Sequence, residues 1–127
     1  VLLERVRSLL EIGGFVYAED LCERMPFGDL EKEELESELY ANYLPSSDQY
    51  RLDLVAAGFE VVLLEDMSDD WTAFTRARLD QYLEHRDRHL RVHGEEVFET
   101  MCGFYETMVR LFSEGKLGGV RVVARMI

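Results

Sequence analysis

Two pairs of acids stand at the ends of two apolar runs. Phe15-Val16-Tyr17-Ala18 leads into Glu19-Asp20, and Phe59 to Leu64 leads into Glu65-Asp66. If both runs are buried strands, these acids lie at carboxyl strand ends, outside which open α/β sheets bind ligands. Asp20 is therefore a candidate for holding a small substrate, with capping of the next loop as its alternative reading. Asp66 and Trp71, within "DMSDDW", could line the same pocket. Their alternative is a helix N-terminus capped by Ser68, Asp69 or Asp70, with Trp71 as a core anchor.

His85, His89 and His93 recur at i, i+4 and i+8. Two histidines at i, i+4 can share a metal. Here Arg86, Arg88 and Arg91 would repel a cation, no HExxH is present, and the third His rotates away along the helix. No metal site is expected, and the segment reads as a solvated or interface helix. Cys22 has no His near it in sequence, so it is not expected to be a nucleophile. Cys22 and Cys102 form no CxxC pair, which excludes a zinc ribbon or thioredoxin-like motif. Reduced thiols in a cytoplasmic protein are expected, with one long-range disulfide as the alternative. No catalytic residue is assigned.

Several elements must position these groups. A helical apolar pattern runs from Leu2 through Val6, Leu9 and Leu10 to Gly13-Gly14. It is already running at Val1, with no capping residue before it, so the sequence predicts that the element starts upstream. A frayed first helix of a small domain is the alternative. After the first strand, residues 30–42 read as a charged helix with Leu35, Leu39 and Tyr40 on a thin buried stripe. Pro45 breaks it. Ser46 with Gln49 fits a capping box opening a short helix with Tyr50, Leu54 and Val55, which stops at Gly58. A second strand covers 59–65. Residues 71–92 read as one long helix, 95–114 as another with Val97, Met101, Phe104, Tyr105, Met108 and Phe112 in register, and 120–126 as the last strand. Three apolar strands among helices predict α/β layering with both sheet faces covered, and a right-handed parallel crossover over 15–65.

The 127 residues suit one domain, 1–127. With 47% hydrophobic residues, disorder is not expected. The net charge of −12 argues against nucleic-acid binding, which needs a basic face. The acids concentrate in residues 1–70 (18 acids, 5 bases), against 8 acids and 9 bases in 71–127. No apolar run is long enough for a membrane span, and no signal peptide is visible.

The ordered segments carry a resemblance. "LLEIGGFVYAED" resembles the Leu-Leu-x-Pro-Gly-Gly turn before the fifth strand of class I S-adenosylmethionine-dependent methyltransferases, with Ile12 where Pro is usual. "LVAAGFEVV" resembles the segment entering their sixth strand, and "GGVRVVAR" their seventh, antiparallel strand, which inserts between the fifth and sixth. The resemblance covers nearly the whole chain and is nearest to the small-amine N-methyltransferases. It implies a partial Rossmann-like methyltransferase sheet: α/β, three strands, mixed, the last antiparallel, with several helices. It also implies that Tyr43 is a lid residue whose ring could stack on an amine's methyl groups. A core Tyr beside Tyr40 is the alternative. The substrate-binding set is then Asp20, Tyr43 and Asp66, which would orient an amine or acid nucleophile by proximity and desolvation.

The family's Gly-rich cofactor loop and ribose-binding acid have no counterpart here. The resemblance therefore implies the substrate-side half of the fold. S-adenosylmethionine is the cofactor of the parent family, and none is expected on this chain alone. The alternative is a non-catalytic, homo-oligomerising domain from a truncated or mobile gene. Expected partners are a second copy or an N-terminal half, together with a small-molecule substrate, and neither nucleic acid nor membrane.

Overall fold

The computed structural model describes residues 2–41 and 43–127. The elements follow in the order α1 (Leu2–Ser8), β1 (Phe15–Glu23), α2 (Asp29–Leu39), α3 (Ser47–Ala56), β2 (Phe59–Asp66), α4 (Ser68–Glu84), α5 (Arg86–His93), α6 (Glu95–Ser113) and β3 (Leu117–Met126). Asn42, the last residue of the helix expected over 30–42, lies outside the described residues, as does Val1.

The strand order is β1-β3-β2, and β3 is antiparallel to both neighbours. β1 and β2 point the same way, as the expected crossover requires, but they do not pair. The last strand separates them, as the resemblance implied.

Side chains alternate across β3. Val120, Val122 and Ala124 are buried on one face with Leu54 of α3, Phe59 and Cys22, and Leu3 and Val6 of α1 pack against them. The opposite face differs along its length. At one end Leu117 packs with Phe27, Leu35, Leu111 and Phe112, joining α2 and α6 to the sheet, with Trp71 of α4 against them. At the other end Arg121 bridges Glu19 (3.1 Å) and Glu65 (3.8 Å), and Arg125 Nε donates to Glu60 (3.0 Å). Phe15 and Tyr17 on this face are each 60% exposed. The expectation of a sheet covered on both faces is thus corrected for this end, among the described residues. The strands carry Glu19, Glu60 and Glu65 on this face, Glu60 and Glu65 sharing it through the register shift between Val61 and Leu63, which suits one solvated face.

The expected helix over 71–92 is also corrected. It is two helices, broken at His85. No apolar residue stands between Leu83 and Leu90, so nothing there can hold a continuous helix against a neighbour. Half of the capping box expected at Ser46 forms: the Ser46 hydroxyl accepts from Gln49 N–H (3.2 Å), while the Gln49 side chain donates to Asp53 (2.8 Å) instead of closing the box.

Candidate functional site

A cavity of about 840 Å3 lies between α1, the carboxyl half of β1, the loop before α3, and α3 itself. Leu2, Leu3 and Glu4 come from α1, Asp20 from β1, Tyr43 and Pro45 from the loop, and Tyr50, Asp53, Ala56 and Ala57 from the helix and its C-cap. Each placement has a local cause. The Ser46 cap fixes where α3 starts, which puts Tyr50, Asp53 and Ala57 at helical spacing on one side. The alternation of β1 puts Asp20 on the same face as buried Cys22.

Asp20 accepts a hydrogen bond from the Leu21 amide (2.8 Å), and Tyr50 lines the same cavity beside it. Burial, and then the Asp20 charge, push the Tyr50 phenol up to about 12. Tyr43 donates its hydroxyl to Asp53 Oδ2 (2.6 Å), while Gln49 Nε2 donates to Oδ1 (2.8 Å). These two bonds, that of Tyr43 foremost, hold the Asp53 carboxyl below the usual range, and the Asp53 partner raises the Tyr43 phenol. The wall thus combines carboxylates, two phenols and an apolar remainder. Such a set can hold a small cation by charge, by hydrogen bonding and by the aromatic faces.

Of the three residues singled out in the sequence, Asp20 and Tyr43 line this cavity together and Asp66 does not. Asp20 and Asp66 both pair with Val120, one from each side, so both carboxylates sit in one row across the sheet. Two inter-strand steps, roughly 9–10 Å, separate them. Asp66 turns to the start of α4, where its Oδ1 accepts from the Ser68 amide (2.9 Å), and the hydrogen bonds of Ser68 hold its carboxyl low. Asp66 itself thus serves the helix N-terminus. Ser68 is buried, and its hydroxyl accepts from Gly119 N–H (3.2 Å). Trp71 is a packing residue against β3, and Tyr43 is exposed rather than core.

Tyr50 and Asp53 escaped the sequence reading. The sequence places Tyr50 on this short helix with Leu54 and Val55, without a role at a site. Leu54 is buried, Val55 is exposed, and Tyr50 reaches the cavity. The available signal was the i, i+3 spacing of a phenol and a carboxylate on a capped helix beginning one turn after Tyr43.

Cys22 and Cys102 are free thiols. Burial pushes Cys22 up to about 11, which makes it a poor nucleophile. Among the described residues no group of three His, Cys, Asp or Glu could hold a metal, and no helix is long and apolar enough to cross a membrane.

Both Gly-Gly pairs are spent inside the fold. Gly13 N–H donates to Met126 O (2.8 Å) and Gly14 O accepts from Met126 N–H (2.8 Å). Gly118 and Gly119 lie under Ser68 and Trp71. Gly118 and Gly119 are covered, and Gly13 and Gly14 spend backbone groups on Met126, so these residues do not make a cradle for S-adenosylmethionine by themselves.

No protein-family profile matches the chain, and no curated protein does. Solved structures do. A phosphoethanolamine N-methyltransferase of Haemonchus contortus, in complex with phosphomonomethylethanolamine and S-adenosylhomocysteine, superposes with a TM-score of 0.85 at 14% identity over 98% of this chain and 29% of that one. A putative sarcosine dimethylglycine methyltransferase of Galdieria sulphuraria gives 0.84 at 12% identity, over 98% and 46%. The cyclopropane synthase MmaA2 of Mycobacterium tuberculosis gives 0.82 at 12% identity, over 98% and 48%. The chain spans less than half the length of each. With a central antiparallel strand between two co-directional ones, and with these neighbours, the fold of the 127 residues is that of one portion of a class I S-adenosylmethionine-dependent methyltransferase.

Proposed function

We propose that the chain is the substrate-side half of an S-adenosylmethionine-dependent methyltransferase fold and holds a small amine, and that alone it is inactive. The observation that carries this reading is the cavity where Asp20, Tyr43, Tyr50 and Asp53 converge at the carboxyl half of β1. Of the two substrate classes expected from the sequence, amine or acid, the carboxylates Asp20 and Asp53 favour the amine. Asp20 would hold an ammonium by a charge-assisted hydrogen bond, and the Tyr43 ring would cover methyl substituents. The chain's part in catalysis is to position the amine and exclude water from it. Residues outside these 127 must hold the cofactor.

The test is an NMR titration of the chain with dimethylethanolamine and, separately, acetate. Amine-dependent shifts centred on Asp20, Tyr43 and Tyr50, with acetate inert there, are the expected result. Equal response to both, or none to the amine, overturns the reading.

A second reading, a non-catalytic homo-oligomerising domain, is favoured by the outer edge of β1. Among the described residues it makes one bridge, from Glu23 to Ser46, and leaves Phe15 to Cys22 unpaired on that side. In this reading a cytoplasmic dimer would use the same edge.

A further inference from the structure

A second, smaller cavity of about 280 Å3 lies on the helical layer, away from the amine cavity. Arg78, Gln81 and Tyr82 of α4, His85 at the helix break, His89 of α5 and Tyr105 of α6 line it. Their spacing along α4 and past its end is i, i+3, i+4, i+7 and i+11, so one stripe forms the wall. We propose that this groove binds a compact oxyanion, a carboxylate or a phosphate group.

The wall is built of donors. Arg78 spends one guanidinium N–H on the Tyr105 hydroxyl (3.1 Å) and keeps the others. Because Tyr105 accepts that bond, its own O–H can still donate. Gln81 brings an amide NH2, and His85 and His89 bring ring N–H groups. The aromatic ring of Tyr82 is stacked on His89 (4.2 Å) and on Phe98 (5.3 Å). Tyr82 can offer the groove its ring-edge and O–H hydrogens, which are electropositive.

In a chain with 26 Asp and Glu, no carboxylate lines this groove. The charged groups felt by His89 are His93, His85 and Arg88, from its own helix and its cap, while α4 and α6 contribute the phenols Tyr82 and Tyr105. Desolvation first, and then the neighbouring His93, His85 and Arg88, hold the His89 imidazole below its usual range. An anion seated among them would relieve that repulsion and raise it again. The break at His85 also serves the groove, because it turns α5 so that His89 stacks back on Tyr82.

The test is an NMR titration of the chain with inorganic phosphate and with acetate, at constant ionic strength in chloride, with trimethylammonium as the cationic control. Expected are saturable shifts at residues 78–89 and 105, a dissociation constant of about 1 mM, and an upward move of the His89 titration midpoint at saturation. Arg78→Gln and His85→Gln, both at exposed positions, should each weaken binding about fivefold. Tighter binding of phosphate assigns a phosphate ester, and tighter binding of acetate assigns a carboxylate. Shifts no larger than those on the acidic α2, an equal response to trimethylammonium, or wild-type affinity in both variants would overturn the proposal.

Discussion

Gly119 lies directly beneath the indole of Trp71. A Cβ on Gly119 would fall 1.9 Å from Trp71 Cε3, inside any tolerable contact. The backbone here is extended, so the glycine is needed for close approach rather than for its torsion angles. Around it, Met67 N–H donates to Gly119 O (2.8 Å) and Gly119 N–H donates to Ser68 Oγ (3.2 Å). Together these contacts dock the start of α4 onto β3 and fix the end of the sheet that carries the second core cluster. Gly119→Ala should therefore cost about 3 kcal/mol in chemical denaturation, by overpacking. Trp71→Leu should cost stability as well. In the double variant the loss should be well below the sum, by more than about 0.5 kcal/mol, because the clash is gone. Strict additivity would show that the two residues do not press on each other.

Tyr50 should contribute to the alkaline limit of the fold, beside the buried Cys22 thiol at about 11. Its phenol stands at about 12 against an ordinary 10.0, because burial and the Asp20 carboxylate both disfavour the phenolate. A folded-state value raised above the unfolded one means stability fully present below pH 10 and lost as pH climbs towards 12. Stability measured against denaturant should fall across that window. Tyr50→Phe, which has no proton to lose, should flatten the fall. An unchanged slope in the variant would place the alkaline transition elsewhere.

Much of this was legible in the sequence, for physical reasons. The Ser46 cap and the strand at Phe59 are local signals, carried by one side chain or one short run. The solvated sheet face was not legible, because Arg121 meets Glu19 and Glu65 only once β3 is inserted between strands about 100 and 55 residues away. For the same reason Asp66 looked equivalent to Asp20: each follows an apolar run, but β1 continues to Glu23, so only Asp66 ends its strand, and the start of α4 diverts its carboxylate to Ser68. Asp53 shows the reverse error. A charged residue on a short helix reads as solvated until a loop brings Tyr43 within 2.6 Å of it.

Asp20 and Tyr43 should separate by the size of their effects. Asp20→Asn removes the charge that would hold the ammonium and should weaken amine binding about tenfold. Tyr43→Phe keeps the ring and loses the bond to Asp53, so about threefold is expected. Both side chains are exposed, and thermal midpoints should stay within a few degrees of the parent. Unchanged affinity at equal midpoints would remove both from the site.

The 127-residue chain should not bind S-adenosylmethionine usefully. Gly118 and Gly119 are covered by Ser68 and Trp71, and Gly13 and Gly14 spend backbone groups on Met126. Titration calorimetry should give no measurable heat of binding at micromolar chain. Low-micromolar affinity would mean that a different surface cradles the cofactor.

The chain should self-associate through β1. Phe15 to Cys22 present an unpaired edge that lacks Pro, Lys and Arg; its charges are Asp20 and Glu19, the latter paired with Arg121. Phe15 and Tyr17 stand exposed beside that edge, so a second copy would gain backbone hydrogen bonds and apolar contact together. A twofold axis across β1 joins the two edges antiparallel and extends the sheet without leaving a further copy of the same surface open. Tyr17→Lys puts a cation at the centre of that contact while the buried face, carried by Val16, Ala18 and Cys22, stays intact. Sedimentation at micromolar concentration should give twice the 14.8 kDa chain mass for the parent and a clear shift towards monomer for the variant. A monomeric parent would remove the edge as an association surface. A dimer indifferent to Tyr17→Lys would move the interface to another face.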